Sequence, residues 1–401
     1  MKKLVIVGGG FAGLWAALVA AREAAVAGGV LEITLVTREP FLTVRPRLYE
    51  VFTEAFRAPL APTLDPLGVR VMLGEVESID TAAQALRVKT AAATQTLGYD
   101  RLVLATGSVQ QALPVPGAVE HGYDIDTYAG AQTFDLALKA RLASLKPAQA
   151  LHVVVVGGGF TGIELATAMR RRIAAHAGAA VAAAAQVSLL ERSGTLGPAL
   201  GAGPAPAIAA ATSATGVTVE TGVTVAGIGA ESVTLTDGRR LPADLVVITT
   251  GLRAQALAAS LPGDCDDAGR AVVDAQLRLP AAPTVFVAGD VARAQVDADH
   301  LALMSCQHAV PMGKCAGYNA AHDLLGLPMR DYAQPDYVTC LDLGDYGAVF
   351  TMGWERAIQQ SGAEVKALKQ MVNTQWIYPP VGDRAALLAA ADIDAPWPPP
   401  T

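Results

Sequence analysis

The sequence predicts an α/β fold built from two Rossmann-like βαβ units followed by a C-terminal α+β segment, and three observations predict it. A glycine fingerprint, G-x-G-x-x-G, occurs twice. Each copy joins a short apolar run to a helical apolar pattern. Each is followed by an apolar, strand-like segment ending in Thr-Gly. A whole βαβ plan repeated within one chain is far harder to reach by chance than one motif.

The first copy is LVIVGGGFAGLWAA, residues 4–17. Gly8 lets the chain reverse, Gly10 lets a pyrophosphate approach bare backbone, and Gly13 lets the helix lie close to the strand. The helix N-terminus then offers free N–H groups and partial positive charge to that pyrophosphate. Lys2 and Lys3 before an apolar run also resemble a signal peptide, but three consecutive glycines interrupt the would-be apolar core. LEITLVT (residues 31–37) reads as the second parallel strand. An acid is expected at its end to hold a ribose hydroxyl; Thr37 stands there, followed by Arg38 and Glu39. In FLTVRPRLY (41–49), Arg45 and Arg47 flank Pro46, which suits either a solvated loop or an arginine beside a cofactor phosphate or flavin edge. A strand bent at Gly74 covers residues 69–79, and YDRLVLATG (99–107) is a buried strand with small residues at its carboxyl edge, where ligands sit in parallel sheets.

The second copy, LHVVVVGGGFTGIELATA (151–168), repeats the spacing with Gly157, Gly159 and Gly162. Its second strand, VSLLE, ends in the expected acid, Glu191, and ADLVVITTG (243–251) mirrors the Ala-Thr-Gly strand. PTVFVAGD (283–290) is a further buried strand, ending in Gly289 and Asp290. A helix around 311–325, antiparallel strands at 337–343 and 348–352, and a helical stripe of Val365, Leu368, Val372 and Trp376 complete the pattern before an Ala- and Pro-rich tail.

Of 401 residues, 52% are hydrophobic and 17% charged, and 39 are glycine, so the chain is globular, with many tight turns. A net charge of −7 argues against a nucleic-acid partner and against attachment to anionic lipid by charge alone. The four cysteines form no C-x-x-C and no zinc-like cluster, so no metal site is expected and a reducing, cytoplasmic compartment is the simplest reading. Two dinucleotide sites are most simply used to bring a nicotinamide and a flavin face to face. Glu191 favours NADH over NADPH, because a carboxylate bonds an unmodified ribose and repels a 2′-phosphate; Arg192 pulls the other way. Glu164, just inside the second fingerprint helix, is the candidate polar group at the reaction centre, although the helix dipole alone can account for its charge.

The ordered set GGGFAG, LATG, GGGFTGIE, LLE, TTG and VFVAGD resembles the FAD-dependent pyridine-nucleotide oxidoreductases of the two-dinucleotide-domain fold. Within them the chain is most similar to the type II NADH dehydrogenases, NADH:quinone oxidoreductases. The resemblance implies an FAD-binding domain at 1–112 and 272–328, an NADH-binding domain at 113–271, and a C-terminal domain and tail at 329–401. It assigns FAD to Gly8, Gly10, Phe11, Ala12, Gly13, Thr37, Arg38, Arg45, Val76, Ala105, Thr106, Gly107, Gly289, Asp290 and Gln307. NADH falls to Gly157, Gly159, Phe160, Thr161, Gly162, Glu164, Glu191 and Gly251. SCQHAVPMG (305–313) aligns in character with the segment over the flavin that borders the quinone, which makes Gln307 and His308 catalytic candidates beside Glu164.

The departures narrow this. Disulfide reductases need a cysteine pair beside the flavin, peroxide reductases a cysteine near Phe41, and sulfide:quinone reductases cysteines on both flavin faces. None precedes Cys265 here. Electrons are therefore expected to leave directly for a small-molecule acceptor, quinone first. Of the family's A-Q-x-x-x-Q segment, Gln307 is present and Pro311 replaces the second glutamine. His308 reads either as a donor to flavin or acceptor or as a satisfied core residue. The alternatives are an NAD(P)H-dependent flavin reductase for an iron–sulfur protein or biosynthetic intermediate, and an NADH-sensing flavoprotein acting through partner binding. The stripe of residues 365–376 suits either a peripheral rest on the cytoplasmic face of a membrane or packing against the cofactor domains; a homodimer is compatible with the sequence.

Overall fold

β1 (Lys2–Val7) is rich in β-branched residues, and its last four side chains are buried. Each is worth about 2 kcal/mol on burial, which fixes the strand at the centre of its sheet. The computed structural model describes residues 1–334 and 336–395; the end of the Pro-rich tail, 396–401, lies outside the described residues. β1 leads through the fingerprint turn into α1 (Phe11–Val26) and on to β2 (Leu31–Thr37). β3 (Arg70–Leu73) and β4 (Arg101–Leu104) complete the first parallel sheet with β9 (Ala282–Val287), in the order β9-β4-β1-β2-β3. The short strand Arg278–Leu279 adds antiparallel to β9. The predicted strand over 69–79 is two strands, broken at Gly74: the second, Glu75–Asp80, leaves for a separate three-stranded antiparallel sheet.

The second unit repeats the plan. β5 (His152–Val156), α2 (Phe160–Ala177), β6 (Gln186–Glu191), β7 (Val217–Thr221) and β8 (Leu245–Ile248) give a parallel sheet in the order β8-β5-β6-β7, with Gly122–Tyr123 at its edge. Strand crossings match unit for unit: β1 lies between β2 and β4, and β5 between β6 and β8.

α3 (Cys306–Leu325) starts five residues earlier than expected, because the Ser305 hydroxyl caps it by accepting from the His308 N–H. Pro311 sits inside it and cannot donate to the Gln307 carbonyl; the Gln334 side-chain amide does so instead at 3.2 Å. Gly313 and Gly317 let α3 press on α1, since a Cβ at either would lie 2.2 Å from the carbonyl oxygen of Ala12 or Ala16. That contact brings the α3 N-terminus to the first fingerprint turn.

C-terminal to this, β10 (Val338–Asp342) and β11 (Ala348–Met352) form the expected antiparallel pair. A third strand, β12 (Ala357–Gly362), extends it, followed by α4 (Ala363–Met371) and a π-turn over Val372–Trp376. The buried stripe of α4 runs through Val365, Lys369 and Asn373, while Leu368, Val372 and Trp376 are half-buried at its side. This stripe faces protein. Among the described residues no helix is long and apolar enough to cross a membrane.

Candidate active site

The two fingerprint turns are built alike. Gly8 and Gly157 adopt φ of +115° and +113°, which side chains rarely tolerate. A Cβ at Gly13 would lie 1.8 Å from the Gly8 carbonyl oxygen, and one at Gly162 equally close to that of Gly157. Gly10 and Gly159 face open space, leaving bare backbone at the helix N-termini over Phe11–Ala12 and Phe160–Thr161. Thr37 and Glu191 lie under the middle glycines. A Cβ at Gly9 would fall 2.6 Å from Thr37 Oγ1, and the Gly158 N–H donates to Glu191 Oε2 at 2.7 Å. The other Glu191 oxygen accepts from the Ser193 N–H at 2.7 Å. Both carboxylate oxygens keep lone pairs for further donors. Thr37 instead donates to the Glu39 carbonyl at 3.1 Å, and Arg38 is exposed.

At the carboxyl edge of the first sheet, Ala105 is buried, Gly107 has φ of +73°, and Thr106 Oγ1 is buried without a partner. Such a hydroxyl costs about 1–3 kcal/mol if nothing fills the site. Gly289 (φ +75°) starts the turn after β9 and sets Asp290 beside it. Ser108 donates to Asp290 Oδ2 at 2.6 Å, and the Arg45 guanidinium lies 3.5 Å from the same oxygen. Burial pushes the Asp290 carboxyl above its ordinary range against the pull of Arg45. Arg45 also pairs with Asp126, whereas Arg47 bonds Glu50 and the Tyr378 hydroxyl. So of the two arginines, only Arg45 serves the Asp290 cluster. Val76 is half-buried and pairs with Val88, and Gly251 (φ +37°) lies 3.2 Å, measured from a built Cβ, from Gln111 Oε1.

Glu164 is 3% exposed. Its Oε1 accepts from the Asp342 N–H at 3.0 Å and pairs with Lys369 Nζ at 3.0 Å. Burial pushes the carboxyl up to about 7, with Lys369 opposing. Burial pulls the Lys369 ammonium down, but Glu164, Cys340 and Asp342 together outweigh it and its pKa is raised. Lys369 also sits over the rings of Phe160 (5.5 Å) and Tyr49 (5.9 Å). Neither Lys369 nor Asp342 was legible as a site residue, because a lysine beside an apolar stripe reads as solvated; its spacing of four from buried Val365 was the available signal.

At the α3 N-terminus the Gln307 side-chain amide is taken up by the backbone of Val338, whose N–H donates to it at 2.9 Å. His308 is fully buried. Its Nδ1 lies 2.9 Å from Ser305 Oγ, and Nε2 has no partner. Burial, aided by Arg356, pulls its pKa down to about 4, so the ring is neutral near pH 7. Its ring meets those of Tyr337 (5.3 Å) and Trp354 (6.0 Å), and Trp354 Nε1 is likewise buried without a partner. All four cysteines are free.

Residues 2–313 match the family described as pyridine nucleotide-disulphide oxidoreductase. An NADH dehydrogenase-like protein of Mycobacterium tuberculosis is 43% identical over 395 residues, covering 98% of each chain. A type II NADH:quinone oxidoreductase of the same species is 29% identical over 323 residues, 72% of this chain and 66% of that one. The structure of NDH2 from Plasmodium falciparum in complex with NADH has a TM-score of 0.78 at 14% identity, covering 94% of this chain and 95% of that one, a likeness of fold.

Proposed function

The chain belongs to the pyridine nucleotide-disulphide oxidoreductase family, and on that premise we propose that it oxidises NADH through FAD and passes two electrons to a quinone-type acceptor. That it is an NAD(P)H-dependent flavin oxidoreductase follows from the family and its NADH dehydrogenase relatives. The observation that carries the finer reading is the duplicated turn with two different residues beneath it, Thr37 in one and Glu191 in the other.

We assign FAD to the unit of 1–112 and 272–328. The open face at Gly10, the unpartnered Thr106 hydroxyl and the buried Asp290 fit a dinucleotide with ribityl and pyrophosphate groups. NADH goes to the unit of 113–271, where Glu191 supplies a carboxylate for ribose hydroxyls and disfavours a 2′-phosphate. Bound flavin supplies the two-electron relay between nicotinamide and acceptor. Glu164, near the start of α2 in the NADH unit, and Lys369 of α4 provide a buried, titratable pair, where a proton can be held near neutral pH. Quinone is the acceptor we favour because a relative of this chain is a type II NADH:quinone oxidoreductase and no cysteine stands in the first 264 residues to take electrons as a disulfide.

Anaerobic mixing of the FAD-loaded protein with NADH tests the reading: the flavin absorbance bleaches, and prompt recovery follows on adding menadione. A flavin that stays oxidised overturns it. The Gln307 amide is occupied by Val338, which favours an iron–sulfur protein as the second reading; steady-state comparison of ferredoxin with menadione separates the two.

A further inference from the structure

The tip of the hairpin that joins β11 to β12, residues 353–356, reaches both dinucleotide units. On the first unit, the Trp354 indole stacks on the His300 ring at 4.3 Å and on the Tyr337 ring at 4.6 Å, and its centroid lies 6.0 Å from that of His308 in the first turn of α3. The Gly353 N–H donates to the Tyr337 carbonyl at 2.8 Å, and the Arg356 guanidinium sits 4.9 Å from the centre of the Tyr337 ring. On the second unit, the tip meets loop 192–204, which follows Glu191. A Cβ at Gly203 would lie 2.4 Å from the Arg356 carbonyl oxygen. That loop in turn sits on the second fingerprint turn: the Gly197 N–H donates to the Gly158 carbonyl at 2.7 Å, and a Cβ at Gly158 would lie 2.6 Å from Leu196 Cδ2.

The tip thus runs from the helix end beside the first fingerprint turn to the loop over the second. Its two anchors are unequal. Rings and a backbone hydrogen bond hold it to the first unit, whereas among the described residues no hydrogen bond joins residues 353–356 to loop 192–204. The closed arrangement also carries costs. Arg356 holds a φ of +51°, which side chains rarely adopt. Trp354 Nε1 and His308 Nε2 are both buried without a partner, and an unpaired buried polar group loses its hydration with nothing in return. Lifting the tip lets the backbone relax and returns the indole N–H to water, so the segment is poised between two positions.

We propose that residues 353–356 form a lid over the cleft between the two fingerprint turns, latched by Trp354, and that its lifting sets the rate at which NADH enters and NAD+ leaves. The proposal rests on the assignment of NADH to the second unit. Closure presses the tip on loop 192–204 and, through Leu196 and Gly197, holds that loop on the turn where the nucleotide is to lie. Opening frees the loop and the turn together. Lids of this kind often make product release slower than chemistry.

The experiment uses the full-length, FAD-loaded protein and its Trp354→Ala, Trp354→Phe and Gly203→Ala variants. Calorimetric titration of the oxidised protein reads NAD+ affinity, stopped-flow displacement reads NAD+ dissociation, and anaerobic single turnover reads flavin bleaching at saturating NADH. Trp354→Ala speeds NAD+ dissociation about tenfold, the size of the two ring contacts it loses, and leaves the saturated bleaching rate within twofold. Trp354→Phe keeps most of the wild-type dissociation rate. Gly203→Ala, whose methyl meets the Arg356 carbonyl, pushes the tip up with Trp354 in place and also speeds dissociation. An unchanged dissociation rate in either Trp354→Ala or Gly203→Ala that retains its flavin overturns the proposal. So does a fall in the saturated bleaching rate that parallels the loss of affinity, because it gives Trp354 a part in aligning the nucleotide rather than in gating it. If the wild type binds no NADH and its flavin is not bleached, the failure lies in the underlying functional reading, whereas normal bleaching with unmoved dissociation isolates the failure to the lid.

Discussion

Replacing Lys369 by methionine keeps the length and most of the packing of a side chain that is 5% exposed and deletes the cation 3.0 Å from Glu164. At an effective dielectric of about 20, that spacing corresponds to about 5 kcal/mol of attraction. Even if only half survives relaxation, the carboxyl moves by about two pH units. A buried carboxylate without a partner retains its proton rather than stay charged. Glu164 should therefore titrate at about 9 or above in Lys369→Met, against about 7 in the wild type. The carboxyl C=O stretch, followed by infrared difference spectroscopy across pH with Glu164→Gln as the blank, reads this directly. The same sign appears in stability. The folded pKa of Glu164 lies above its unfolded value, so the contribution of the bound proton is present at low pH and is lost as pH rises through the folded pKa. Wild-type ionisation between pH 6 and 8 is compensated by Lys369; in the variant it is not, and urea unfolding should show a larger deficit at pH 8 than at pH 6. A Glu164 midpoint at or below 7 in Lys369→Met refutes the argument, because it means the ammonium does not act on that carboxyl.

Three further outcomes follow from the same geometry. Glu191→Ala removes a carboxylate held by the Gly158 and Ser193 N–H groups and should raise the NADH KM roughly tenfold or more, the size of a hydrogen bond to a charged group, while changing the NADPH KM little; equal losses contradict the assigned role. Gly10→Ala and Gly13→Ala should separate binding from folding. A Cβ at Gly10 meets nothing, so the variant should keep its unfolding midpoint as apoprotein and lose bound flavin, whereas a Cβ at Gly13 lies 1.8 Å from the Gly8 oxygen and should destabilise the chain itself. Folded His308 holds its proton less tightly than the unfolded chain, with a pKa of about 4 against 6.5. Stability should fall by about 3 kcal/mol as pH drops through that window, and His308→Gln should flatten the slope in urea titrations at pH 7 and pH 4.5.

The parts of the fold governed by local chemistry were readable. β2 ends at Thr37 and β6 at Glu191, as the fingerprint requires, because strand, glycine turn and helix are set by neighbours in sequence. Errors arose where distant residues decide. Nothing near Pro311 says that Gln334 will satisfy the carbonyl it orphans, so the helix was expected to begin at the proline rather than at the Ser305 cap. β12, AIQQSG, carries no apolar alternation and is defined only by pairing with β11. The face of α4 was misjudged for the same reason. Its expected stripe of Val365, Leu368, Val372 and Trp376 is buried at Val365, but Glu164, buried in another unit, pairs with Lys369 and the buried face continues through Lys369 and Asn373 instead. A charge can occupy a core only when its partner is already there, and a partner so far away in the chain leaves no periodic trace.

That same dependence explains what the C-terminal segment does for the site. Hydride transfer demands near-contact distances of about 3–3.5 Å, and two units that each bind a dinucleotide do not by themselves fix the spacing between their ligands. The C-terminal segment touches both. The Arg47 guanidinium donates to the Tyr378 hydroxyl beside the first unit, and the Thr63 hydroxyl donates to the Pro380 carbonyl. On the second unit, Lys369 holds Glu164, and a Cβ at Gly344 would lie 2.1 Å from the Thr167 carbonyl oxygen of α2. Arg45 adds a third tie, from the Asp290 cluster to Asp126 of the second unit. Each tie is polar or a close backbone approach, so each is directional in a way that apolar contact is not. The segment that completes the Glu164–Lys369 pair is thus also the one that ties the two units bearing the glycine turns to each other.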